Sequence, residues 1–188
     1  MCGILSAVAD HAAFLKGINL GKRRLSNDEL RGHIEALGLD GAAIFRASGN
    51  VVFSDPEHRT ERQLEELIEE GLEHRLGYEV ATFVRNRGDL LEIAGAEPFD
   101  GPTRDRLHGK LQVALLGKRP AAAAGKKALA LAGEGDALAF GRRELFWLPA
   151  GGMSDSSLDL KGLERLLGPM TIRTMGTVEQ IAAKHFAD

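Results

Sequence analysis

The chain has 188 residues, a formal net charge of -3 and a single cysteine. One cysteine excludes an intrachain disulfide, a thiolate-rich zinc site and an iron–sulfur cluster, and 24 basic residues against 27 acidic give no support for sequence-independent binding of duplex DNA. Apolar residues at 44% and aromatic residues at only 5% predict a folded chain with a core of Leu, Ala, Val and Ile.

In chain order, Ala12-Ala13-Phe14-Leu15 predicts a strand that runs into the glycine-bearing loop KGINLGKRR. Ser26 with Glu29 makes a capping-box pattern, and Leu30, Ile34 and Leu37 follow at helical spacing up to Gly38. Two apolar runs, 42–45 and 51–53, flank Ser48-Gly49-Asn50 and predict a β-hairpin. Leu64, Leu67, Ile68, Leu72 and Leu76 define one face of a helix over 60–76, stopped by Gly77. Its other face, with Glu61, Glu65, Glu66, Glu69, Glu70 and Glu73, reads as solvated surface. A strand at 80–84 completes a β-α-β-β-α-β order, the split-βαβ or ferredoxin-like arrangement.

The second half offers a short helix at 88–94, a polar stretch with Pro98 and Pro102, a strand at 111–116 and an alanine-rich helix opened by Pro120. A second hairpin follows at 137–140 and 145–148, then a helix in the 160s ended by Gly168-Pro169, then a terminal helix over 177–186. The fold class is therefore expected to be α+β: a ferredoxin-like first half over 1–86, packed against a second, smaller and similar α+β half over 87–188. No residue-level internal repeat is visible.

Several strings occur together in one order: Leu15-Lys16-Gly17-Ile18-Asn19-Leu20-Gly21-Lys22, Glu29-Leu30-Arg31, Ser48-Gly49-Asn50-Val51-Val52-Phe53, Pro98-Phe99, a WLP-type strand before a G-x-S-x-L stretch within 145–158, and Thr171-Ile172-Arg173. In this the chain resembles the DUF1697 family over nearly its whole length. It departs from the family pattern with Lys16 for arginine, Ser26 for methionine and Thr174-Met175-Gly176 for Asn-Trp-Asn. The resemblance implies two similar α+β halves and no particular activity.

The candidate site is the 16–24 loop. Residues 16–31 hold five basic residues against two acidic, with glycines at 17 and 21 that allow backbone N–H groups to face an anion. Lys16, Asn19, Lys22 and Arg23, helped by Ser48, Asn50 and Arg173, are the expected ligand-binding residues for a small anion, phosphate- or nucleotide-like. The structural alternative is that the glycines shape a turn, Asn19 ties it down, and Ser48 and Asn50 close the hairpin. A right-handed crossover places the 48–50 turn on the same sheet rim as residues 16–19.

Other classes remain as alternatives: an enzyme of unassigned reaction using the same cleft, a scaffold joined through opposite charge blocks, or a single-stranded nucleic-acid binder. The charge blocks are 104–127, with seven basic residues against one acidic, and 55–75, with eight acidic against three basic. Stacking aromatics are missing beside the basic block, which argues against nucleic acid. Met1-Cys2-Gly3-Ile4 resembles the opening of class II glutamine amidotransferases, but the patterns expected next do not follow, and Cys2 reads as a buried or incidental cysteine. No dinucleotide fingerprint, Walker loop or H-E-x-x-H motif is present, and the histidines are scattered, so no cofactor or metal is expected. The first 17 residues lack a cationic n-region and no apolar run reaches spanning length. A cytoplasmic protein without a membrane partner is the expectation.

Overall fold

The computed structural model describes residues 9–19, 25–46 and 49–187. The first sheet grows from β1 (His11–Lys16), which pairs antiparallel on one side with β3 (Asn50–Ser54) and on the other with β4 (Ala81–Asn86). Strand β2 (Asp40–Ile44) adds to β3, giving the order β2-β3-β1-β4.

Two helices cover one face of this sheet. In α1 (Asn27–Glu35), Ser26 and Glu29 form the capping box that their spacing predicts, with Glu29 N–H 3.2 Å from Ser26 Oγ and Ser26 N–H 2.9 Å from Glu29 Oε2. In α2 (Glu61–Leu76), Thr60 and Gln63 form a second box, and Gly77 at φ 73° ends the helix in the left-handed conformation open to glycine. Leu30 and Ile34 of α1 and Leu64, Ile68 and Leu72 of α2 pack with Ala13, Leu15, Val51, Phe53 and Val84 of the sheet. The opposite sheet face is buried too, at Ala12, Phe14, Val52, Phe83 and Arg85.

Helix α3 (Arg87–Ala94) follows β4 directly, and α4 (Gly101–Arg106) starts at an Asp100 cap with proline in its first turn. The sequence reads α4 only as a polar stretch, because six residues are too few to show helical periodicity. The second sheet contains β5 (Gln112–Leu116), β6 (Asp136–Phe140), β7 (Glu144–Pro149) and β8 (Met170–Thr174), in the order β6-β7-β5-β8. Its helices are α5 (Ala122–Leu129) and α6 (Leu160–Leu167), and α7 (Met175–His185) follows β8 without a break. Trp147, Leu145 and Leu116 pack there with Ala128, Leu163 and Leu167. Strand β8 is absent from the elements that the sequence predicts.

The two halves are thus similar open antiparallel sheets flanked by helices, repeating one series: strand, helix, hairpin, helix, strand, helix. The repeat extends to register and to single residues. Ala12 pairs with Arg85 as Val113 pairs with Arg173, and each guanidinium donates to the carbonyl just before it, Arg85 Nη1 to Val84 O at 2.8 Å and Arg173 Nη1 to Ile172 O at 2.9 Å. Asn86 Oδ1 accepts Asp89 N–H at 2.9 Å, and its counterpart Thr174 Oγ1 accepts Thr177 N–H at 3.2 Å, so each last strand caps its own following helix. The chain divides into two compact units, residues 1–92 with 181–188, and residues 93–180. Among the described residues no helix is long and apolar enough to cross a membrane.

Candidate functional site

One end of the first sheet gathers the end of β1, the β2–β3 turn and the start of β4. The register places Phe14 opposite Asn50, Ile44 opposite Val51 and Lys16 opposite Ala81. Leu15 N–H donates to Gly49 O at 2.7 Å. Gly49 has φ 70°, and a Cβ there would stand 3.0 Å from Ile18 Cγ2 and 3.1 Å from Leu15 Cβ. The hairpin tip is therefore seated against the start of the β1–α1 loop, the adjacency that the crossover argument predicts.

The individual side chains divide into those that build this rim and those that remain at its surface. Asn19 Oδ1 accepts Leu25 N–H at 2.9 Å, which ties a residue shortly after β1 to the one before the α1 cap. Ile18 is buried, and its carbonyl accepts the Tyr78 hydroxyl at 3.1 Å. Asn50 is buried, and its Nδ2 donates to Phe45 O at 3.1 Å across the hairpin. Asn19 and Asn50 thus have structural work that matches the alternative raised from sequence. Lys16 is half-buried at the end of β1. Lys22, Arg23 and Ser48 lie outside the described residues.

Arg173 belongs to the second unit. Its Nη1 donates to Thr171 Oγ1 at 2.8 Å as well as to Ile172 O, and burial lowers its pKa to about 10. These bonds hold it along its own strand.

The rim also contains groups that no sequence pattern indicates. Arg46, at φ 60°, sets its guanidinium carbon 5.4 Å from the centroid of the Phe45 ring. Lys184 Nζ lies 6.0 Å from the same centroid, and the His185 ring meets Phe45 edge-on at 6.4 Å. Burial, and then the charge of Lys184, push the His185 pKa below its ordinary value. About 140 residues separate Phe45 from Lys184, so local spacing carries no trace of this cluster. Among the described residues no three His, Cys, Asp or Glu side chains come together to hold a metal ion.

A stretch that resembles the family pattern in the second half has a structural role. Trp147 Nε1 donates to Asp136 Oδ1 at 2.6 Å, Ser156 Oγ donates to the same carboxylate at 2.8 Å, and Leu158 N–H donates to Ser156 Oγ at 3.0 Å. The buried Asp136 thereby fastens the segment after β7 to the sheet.

The family described as "Protein of unknown function (DUF1697)" matches residues 8–146. The chain is similar to the conserved bacterial protein SP0830 from Streptococcus pneumoniae, at 18% identity and a TM-score of 0.67, over 94% of this chain and 98% of that one. At that identity the likeness is one of fold. No curated protein matches the chain.

Proposed function

The chain belongs to the DUF1697 family, and within it we propose that this protein binds a small anion, of phosphate or nucleotide type, at the rim where the β1–α1 loop meets the first hairpin. The observation that carries the reading is the seating of Gly49 on Leu15 and Ile18, with Leu15 N–H bonded to Gly49 O at 2.7 Å. That contact puts the end of β1, with Lys16, beside the turn that bears Arg46, and Lys184 sits at the same turn through Phe45. Two cations beside one aromatic ring, with a lysine at the end of the neighbouring β1, would attract a phosphate, and the ring would favour a flat group attached to it.

Thermal unfolding with pyrophosphate, AMP and ATP tests the proposal. At a hundredfold excess over Kd, linkage raises stability by about 2.7 kcal/mol, roughly 5–10 °C for a chain of this size. Lys16→Ala and Lys184→Ala should each reduce the shift. Equal melting with and without all three ligands refutes the proposal.

A further inference from the structure

The internal repeat gives the rim a counterpart in the second unit. Leu116 N–H donates to Arg143 O at 2.9 Å, as Leu15 does to Gly49, and Gly141 N–H donates to Glu144 O at 2.9 Å, as Phe45 does to Asn50. Beside this turn the surface opens into a groove of about 540 Å3, lined among others by Arg119, Pro120, Gly125, Lys126, Leu129 and Phe140. The volume lies within the usual range for small-molecule pockets.

Three features of the groove specify its occupant. Gly125 presents bare helix backbone to Phe140, since a Cβ there would stand 3.4 Å from the ring, in contact with Phe140 Cε2. Gly125, Phe140 and Pro120 give the groove an apolar side that includes an aromatic ring, and Leu129, 39% exposed, extends it towards solvent. Arg119 and Lys126 are both exposed, no carboxylate side chain lines the groove, and neither cation has an ion-pair partner among the described residues. An apolar slot flanked by two uncompensated cations excludes a metal ion and favours a ligand with a flat apolar body and an anionic group.

We propose that this groove, formed by the start of α5 and the β6–β7 turn, binds a small aryl anion, its ring against Phe140 and Gly125 and its carboxylate or phosphate between Arg119 and Lys126. The groove is built from residues of the second unit alone, and the inference does not rest on the reading of the first-unit rim. Affinity is expected to be modest, because the groove is open on one side and surface cations are screened by water and salt.

The test is an amide chemical-shift titration of the full chain with phenyl phosphate, benzoate, inorganic phosphate and benzyl alcohol. Phenyl phosphate, benzoate or both should perturb residues 119–129 and 140–141 saturably at millimolar concentration. A response to only one of them identifies the anionic group preferred. The Arg119→Ser/Lys126→Ser double variant and Gly125→Leu should each weaken binding at least roughly tenfold. The double variant alters only exposed side chains, so it keeps the test valid if Gly125→Leu fails to fold. Equal shifts with inorganic phosphate, equal shifts with benzyl alcohol, or aryl-anion shifts confined to residues around Lys16 and Lys184 would each overturn the proposal. The last result would leave the first-unit reading standing.

Discussion

Glu65 of α2 accepts the backbone N–H of Val84 at 2.9 Å, which places a helix carboxylate where a neighbouring strand's carbonyl would otherwise sit. The relationship is periodic. Glu61 accepts Asn86 N–H and Glu69 accepts Thr82 N–H, each at 2.8 Å. Residues 61, 65 and 69 are four apart on a helix, and 82, 84 and 86 are two apart on a strand, so the helical and extended repeats run side by side. Strand β4 is the edge of its sheet, and these are the N–H groups on the side away from β1. Half of the acidic face that sequence presents as solvated surface in fact seals an edge strand against further pairing.

Two substitutions separate charge from hydrogen bonding in that seal. Burial raises the pKa of Glu69, so its ionised form is disfavoured in the folded state, and its contribution to stability falls as pH rises from about the unfolded value of 4.5 through the folded pKa. Glu69→Gln keeps an acceptor without the ionisation, and should match or exceed wild-type stability in urea at neutral pH while losing that slope. Glu69→Ala removes the acceptor and should cost about 1 kcal/mol. The triple change of Glu61, Glu65 and Glu69 to Ala should show concentration-dependent self-association by light scattering, whereas a monodisperse triple variant would remove the edge-sealing role.

Gly49→Ala tests the seating of the hairpin tip. The left-handed backbone alone costs roughly 1–2 kcal/mol for a residue with a Cβ, and the new atom also crowds Ile18 and Leu15. A lower urea midpoint with an unchanged slope is the expected outcome. Gly38→Ala, also at positive φ but with nothing near the added atom, should cost less.

Asp136 can be probed through Trp147, the only tryptophan in the chain. Asp136→Ala strands a buried indole N–H and the Ser156 hydroxyl, and should cost about 2–3 kcal/mol and change the Trp147 emission. Asp136→Asn retains an acceptor and should cost less. Unaltered emission in the alanine variant would contradict the bond.

His11 stacks on Phe53 at 5.7 Å, and its buried Nδ1 has no partner among the described residues. Burial lowers its pKa despite the opposing charges of Asp10, Asp55 and Glu61. The unfolded chain therefore takes up the proton first, so His11's contribution to stability is full above pH 6.5 and is lost as pH falls through the folded pKa. His185, depressed in the same direction, adds to the loss. His11→Gln, which copies Gln112 at the matching position of the repeat, should flatten the decline measured by urea unfolding between pH 7.5 and 5.

Local signals were sufficient wherever one element could declare itself. The box of Ser26 and Glu29, the stop at Gly77 and the leucine face of α2 are interactions among residues within a few positions of one another, and so was the β-α-β-β-α-β order they mark out. Short elements did not declare themselves: α4 has too few residues for a period, and the alternation in β8 becomes a strand only because β5 stands beside it. The same reason separates what remains. Composition and spacing determined the fold class and the helix caps, because burial of apolar faces and backbone sterics act on each segment by itself. Tertiary structure alone decided that Glu65 faces Val84 and that Lys184 lies over Phe45, because hydrogen bonds and charges act between atoms that only the folded chain brings within reach.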